Sequence, residues 1–390
     1  MSIDGIAAIV VILCLGILLF LKRSKIEVQR ALFPILYVVM YRSTIGLGVM
    51  KRLASRFPRV LNVLGVLGII VGFLGMVFIV GQLAYGSVLL FTSPEAQAGV
   101  QPVLPFEAKG VFFVPFLYWV LSIFLIAVVH EGAHGVVSFL HKIPVRRSGF
   151  AFLCIFLPVI PAAFVEPDEK VLRKARAKQQ LAVYAAGPFS NVLFALLSVG
   201  LFAALSPVLS SAFVTQGVVL SSVDAEGPAF AAGLREGMVV ETLGGVPIIS
   251  LANVSSVLGN ASPGDSLVAA TKDHAFELVA GASQKNADRA FLGVQVKPNV
   301  VLNDEFTEQY GVFLPKAAKW LAGLFFWLFL LNLGIGLFNL LPIGPLDGGR
   351  MFELVCARWF GKEQGLKVWS LVSVALAGMI LMNILAGFVR

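Results

Sequence analysis

Charge is scarce in this chain of 390 residues: 13% are charged against 58% hydrophobic, and mean hydropathy is +0.89. That balance excludes an ordinary soluble enzyme and indicates an integral membrane protein. Cysteine is scarcer still. Cys14, Cys154 and Cys356 all sit in or beside apolar stretches, which argues against a disulfide framework and against a thiol zinc site of usable spacing. The amino terminus lacks a basic leader, carries Asp4, and follows its apolar run with Lys22-Arg23-Ser24-Lys25 instead of a small-residue cleavage site; Ile6–Leu21 is therefore expected to stay as an anchor.

Long apolar runs are plentiful. They lie at about Ile6–Leu21, Leu61–Phe91, Val111–Leu140, Leu181–Leu205, Trp320–Leu341 and Val368–Phe388, each long enough to cross a hydrocarbon core, so about six transmembrane helices are expected. Two shorter runs, Ala31–Tyr41 with Pro34 and Phe150–Phe164 with Pro158 and Pro161, read as interfacial or re-entrant segments, which a membrane tolerates only where protein covers the backbone.

Loop charge orients these crossings, because short cytoplasmic loops are rich in Lys and Arg. Residues 22–60 carry nine bases and one acid, Glu27, and read as cytoplasmic; residues 93–110, with Glu95 and Glu107 against Lys109, read as external. Lys142, Arg146 and Arg147 on one side of Phe150–Phe164, and Lys170, Arg173, Lys174, Arg176 and Lys178 on the other, return both flanks to the cytoplasm. Residues 207–312 hold eleven acids and five bases, which suits the outside. The formal charge of +8 is thus accounted for by topology; bases dispersed among membrane loops are no footprint for nucleic acid.

Within the apolar run Val111–Leu140 stands Val129-His130-Glu131-Gly132-Ala133-His134. A helix brings residues i and i+4 to one face, so His130 and His134 can hold one Zn²⁺ while Glu131 reaches a water molecule as general base. Ionisable groups inside an apolar span are costly and usually functional. Catalytic zinc commonly takes three protein ligands. The candidate for the third is Asp347, in Asn339-Leu340-Leu341-Pro342-Ile343-Gly344-Pro345-Leu346-Asp347-Gly348-Gly349-Arg350 at the cytoplasmic end of the fifth run, where two prolines and paired glycines break the helix. The competing reading is a solvated turn. His274, between Asp273 and Ala275, reads as a surface residue, and His141, beside Lys142, as interfacial.

These residues resemble the site-2 proteases, polytopic intramembrane metalloproteases that cut transmembrane substrates. The resemblance rests on the His130–His134 helix, on Asn339…Pro342…Asp347-Gly348-Gly349, and on Ala186-Gly187-Pro188-Phe189-Ser190-Asn191 between them, and covers roughly Val111 to Val368; Gly149–Lys170 looks most like archaeal members. It implies His130, His134 and Asp347 as ligands of one zinc ion, Glu131 as catalytic base, and Asn339 and Asn191 as substrate-binding residues. It further implies that Phe150–Phe164, as a membrane dip, offers a strand edge to an unwound substrate segment. The first two runs lie outside the family core.

Residues 213–300 change character, with Gly, Pro and Asn turns between short apolar stretches, and read as a small α+β domain outside the bilayer. Gly227-Pro228-Ala229, Ala232-Gly233-Leu234 and the Gly237 turn look like a PDZ domain of the bacterial protease type, with Met238 in place of the usual Asp. Such domains bind extended chain ends; a passive filter is the alternative. The expected organisation is an N-terminal part (1–110), a first stretch of protease core (111–206), the PDZ-like domain (213–300), a third core helix with the Asp-Gly motif (316–350) and a C-terminal helix (351–390). The whole reads as a multi-pass cell-membrane zinc endopeptidase acting on transmembrane proteins near the cytoplasmic side. The rival is a non-catalytic membrane scaffold or transport accessory that binds peptides through its PDZ-like domain, and such a scaffold has no need of Glu131.

Overall fold

The computed structural model describes every residue except 1–2, 22–25, 33–35, 94–97, 156, 283–288 and 390. It divides into two compact units, 1–203 with 322–390, and 204–321.

The first unit opens with α1 (Ile3–Leu21), β1 (Ile26–Leu32), β2 (Leu36–Ser43), α2 (Leu47–Arg56) and α3 (Pro58–Thr92). After a short parallel pair, β3 (Val103–Leu104) and β4 (Phe112–Phe113), come α4 (Phe116–Leu140), β5 (Val145–Ile155), β6 (Leu157–Pro167), α5 (Glu169–Leu172) and α6 (Ala177–Ala212). The boundaries of the second unit fall inside α6 and inside α10 (Phe313–Asn339, below). Five helices among the described residues are long and apolar enough to cross a bilayer: α3, α4, α6, α10 and α12 (Lys362–Val389). The expected sixth, Ile6–Leu21, lies within the helix α1.

Both Pro-containing short runs form β structure. β5 and β6 pair antiparallel from Val145↔Pro167 to Ile155↔Leu157, and β2 pairs antiparallel with β5 from Leu36↔Ile155 to Ser43↔Ser148. With β1 they make one sheet in the order β1-β2-β5-β6. Ala31–Tyr41 is thus part of a hairpin that extends this sheet. The physical reason is that Leu36-Tyr37-Val38-Val39 are strand formers whose backbone groups find partners in β5. Pro34 lies outside the described residues.

Glycine lets α3 approach its neighbours. A Cβ at Gly68 would meet the Phe189 ring at 3.3 Å, one at Gly72 the Met351 Cε at 2.9 Å, and one at Gly75 the Leu340 Cδ1 at 2.5 Å. Between helices in lipid, where apolar burial gives little driving force, such close approach does the packing.

The second unit holds β7 (Phe213–Val223), α7 (Pro228–Ala231), β8 (Val239–Val240), β9 (Thr242–Leu243), β10 (Val246–Pro247), α8 (Leu251–Asn260), β11 (Ser266–Ala270), β12 (Ala275–Val279), β13 (Gly281–Ala282), β14 (Ala290–Phe291), β15 (Val294–Leu302) and α9 (Asp304–Tyr310). Its sheets run β15-β7-β8 and β10-β9-β11-β12, with β13-β14 beside them. Val218, Leu220, Leu234, Val240, Ile248 and Leu278 belong to its buried aliphatic core. Gly237 takes φ 85° to make the turn, and the Arg235 N–H is directed at the Met238 Sδ at 3.4 Å, so a thioether stands where the sequence pattern leads one to expect a carboxylate.

Candidate metal centre

The zinc-motif helix α4 is held on several sides. β6 packs along it, and α2 crosses it where Gly135 leaves room: a Cβ there would meet the Met50 Sδ at 2.5 Å and the Val165 Cγ1 at 3.3 Å. His130 and His134 project one turn apart, their rings 4.9 Å between centroids, both buried.

Asp347 arrives from a distant part of the chain. After α10 ends at Asn339, residues Leu340 to Leu346 form a turn, and α11 (Asp347–Phe360) opens with Asp347 itself. The paired glycines behind it are required: a Cβ at Gly348 would run into the backbone of Leu340, and one at Gly349 into that of Ile343. From α12, the Trp369 indole N–H donates to the Gly349 carbonyl at 2.9 Å and the Ser373 hydroxyl to the Pro342 carbonyl at 3.1 Å. The Arg350 guanidinium bonds to Glu169 of α5 at 2.9 Å. The expected third core helix, 316–350, is thus two helices joined by this turn, since Pro342 and Pro345 cannot continue α10.

The result is a three-residue cluster. Asp347 Oδ2 lies 3.1 Å from His130 Nε2 and 3.4 Å from His134 Nε2, and one ligand atom from each residue falls within 4.8 Å of the others. His134 Nδ1 stands 2.7 Å from the Val183 carbonyl; a carbonyl only accepts, so Nδ1 carries the proton and Nε2 presents its lone pair to the cluster. His130 Nδ1 is buried with no hydrogen-bond partner. Gly187 of α6 completes the cradle, because a Cβ there would collide with Nε2 of both histidines. Two imidazoles and a carboxylate, with space kept beside them by a glycine, fit the donor set of a catalytic zinc ion.

Glu131, next to His130 on α4, accepts a hydrogen bond from the Val165 N–H of β6 at 3.0 Å. β6 is an edge strand, so the carboxylate of the motif touches the strand edge directly. Asn191 is fully buried on α6, its side-chain nitrogen and oxygen both without partners, and its Cβ stands 3.1 Å from where a Cβ on Gly336 of α10 would be. Asn339 is the last residue of α10 and half-buried. His141 caps the C-terminus of α4, and His274 is exposed on a turn of the second unit. Three contributors escape a reading of the sequence: the Val183 carbonyl, the Val165 N–H and the missing side chain of Gly187. Only Gly187 carries a visible signal, standing in the Ala186–Asn191 motif.

Comparison with known proteins bears on this cluster. The model of peptidase family M50 matches residues 118–385, a span that contains all three residues of the cluster and Glu131. An uncharacterized protein of Methanocaldococcus jannaschii is 25% identical over 350 residues, covering 87% of this chain and 82% of its own. Among solved structures, the PDZ domain of an SdrC-like protein from Listeria monocytogenes matches with 20% identity and a TM-score of 0.19, covering 21% of this chain and 87% of its own.

Proposed function

The chain belongs to peptidase family M50, the site-2 protease family, as a multi-pass membrane metallopeptidase, and from that premise we propose that it cleaves peptide bonds within transmembrane segments of membrane-anchored substrates. The observation that carries the reading is the cluster itself: two histidines of an apolar helix and a carboxylate more than two hundred residues later in the chain, within 4.8 Å of one another and beside Glu131.

His130, His134 and Asp347 would hold one zinc ion, which when bound supplies Lewis acidity toward a peptide carbonyl and acidifies water. Glu131 is the general base; its carboxylate takes the proton of the attacking water and returns it to the departing amine nitrogen. A helical substrate must first unwind, since its carbonyls are tied up in intrahelical bonds. The edge of β6 can receive the unwound stretch as an added strand. Val165 directs its N–H outward to Glu131, and in an antiparallel strand alternate residues share that side, so Ala163 offers the next outward N–H while Pro161 and Pro167, having none, bracket the pair. Recognition on that edge is therefore short and made mostly through backbone, with Asn191 and Asn339 as further substrate contacts. The active site lies near the cytoplasmic face, and the second unit, outside the membrane, is a PDZ-like module that binds a peptide or chain end; loop charge and the Gly227–Met238 pattern support those two assignments.

The decisive experiment pairs metal analysis with cleavage of a helical membrane substrate. Glu131→Gln should keep about one zinc per chain and lower cleavage by a factor of roughly a hundred or more. Cleavage at the wild-type rate in that variant would sink the mechanism.

A further inference from the structure

Two clefts adjoin among α2, α3, α4 and α6. The first, about 570 Å³, is almost wholly apolar, with Val49 and Leu53 of α2, Leu64 of α3, Gly132 and Val136 of α4 and Phe189 of α6 in its walls. The second, about 600 Å³, is lined by Asn62 and Val66 of α3, by His141, by Arg176 just before α6 and by Lys178 in its first turn. Gly65 and Ala182 border both. Each volume falls in the range of about 300–1,000 Å³ usual for small-molecule sites.

The two clefts differ in chemistry. Arg176 and Lys178 are exposed and have no carboxylate partner among the described residues. His141, half-buried beside them, is held below its ordinary pKa by burial and by the Lys178 ammonium, as expected where positive potential is uncompensated. α2, which roofs the apolar cleft, carries Lys51, Arg52 and Arg56 along with its apolar Leu47, Val49, Met50 and Leu53, the composition of a helix lying in a membrane interface. An apolar cleft beside one whose largely apolar wall carries Arg176 and Lys178 matches a single molecule with a hydrocarbon chain and an anionic head. A transmembrane helix of a substrate matches less well: a cylinder about 10 Å across rising 1.5 Å per residue needs roughly 120 Å³ per residue, so the apolar cleft would hold only about five residues.

We propose that these clefts seat one anionic phospholipid, with its phosphate at Arg176 and Lys178 and an acyl chain against Gly132 and Val136 of the zinc-motif helix. The basic loops that orient the chain put this mouth on the membrane face where anionic lipids are drawn to Lys and Arg. The lipid would fill the space behind α4 and so stiffen the helix that carries His130 and His134.

The test is lipid retention by the full-length protein after reconstitution in bilayers of equal phosphatidylglycerol and phosphatidylcholine, extraction, and quantification of bound lipid by mass spectrometry. Wild type should keep about one phosphatidylglycerol per chain in preference to phosphatidylcholine. Arg176→Gln with Lys178→Gln, both at exposed positions, should lower retained phosphatidylglycerol roughly tenfold and leave phosphatidylcholine unchanged. Val49→Trp, which fills the apolar cleft from an exposed position on α2, should lower retention of both lipids with zinc content intact. Equal retention of the two lipids by wild type, unchanged phosphatidylglycerol in the double variant, or a photo-crosslinker at Val49 that captures a substrate helix in place of lipid would each overturn the proposal. None of these readouts requires proteolysis, so failure here is distinct from failure of the peptidase reading.

Discussion

The two units solve the same problem, holding a chain in one conformation, by different means. In the second unit the core is aliphatic, with Val218, Leu220, Leu234, Ile248 and Leu278 almost entirely buried, and no ion pair occurs among its described residues although charged side chains are common there. In the first unit Ser122, Asn191, Ser198, Asn332 and Asn383 are fully buried within helices, and ion pairs such as Arg42 with Glu166, Arg146 with Asp168 and Arg350 with Glu169 lie outside the five membrane-length helices. The difference follows from the solvent. Water makes burial of hydrocarbon favourable by about 25 cal/mol per Å², whereas lipid offers no such gain, so helices there are matched by glycine contacts and by polar groups. Polar chemistry is therefore already concentrated in the membrane unit, and the metal centre is one more instance of it.

The largest expected effect that would sharpen this contrast is at Asp347. Asp347→Asn should weaken zinc retention by about a hundredfold or more, measured by competition with a chelator, while hydrogen exchange in 204–321 stays unchanged. Zinc held as tightly as in wild type would remove Asp347 from the ligand set. A change confined to the second unit should do the reverse. Leu234 is 2% exposed, and Leu234→Ala should destabilise that unit by about 2–5 kcal/mol, read from hydrogen exchange of its amides, with zinc per chain unaltered. Loss of zinc in this variant would mean that the two units are coupled and would break the comparison.

Within the membrane unit, the parts of the site differ in how legible they are in the amino-acid sequence. His130, Glu131 and His134 are written as a local pattern, because helical spacing translates directly into a shared face. Asp347 is visible as a carboxylate at a proline-broken helix end. The sheet is half visible. Phe150–Phe164 stands out by its prolines, which fall inside β6, but the pairing of Leu36–Ser43 with Ser148–Ile155 joins segments over a hundred residues apart, and no local period records such a partner. What stays hidden is backbone: the Val183 carbonyl that fixes the His134 tautomer and the Val165 N–H that holds Glu131 are groups every residue possesses.

The smallest expected effect lies at the exit of β6, where the membrane unit uses charge in water. Asp168 caps α5, accepting from the N–H groups of Lys170 and Val171 at 3.0 and 3.2 Å, while the Arg146 guanidinium bonds its other oxygen at 2.7 Å. The Arg146 hydrogen bond, then the Val171 N–H, hold this carboxyl below its ordinary pKa. A carboxylate depressed in the folded state contributes stability that is fully present above its unfolded pKa of about 3.9 and is lost as pH falls through the lower folded value. Order in α5 should therefore persist from neutral pH to below about pH 4, and Asp168→Ala should fray Lys170 and Val171 at pH 7, seen as faster amide exchange, with zinc content unchanged. Asp168 is half-buried at the surface and its partner Arg146 is exposed, so the effect should stay local; fraying of wild-type α5 already at pH 5 would show that the cap and the Arg146 pair do not hold this turn.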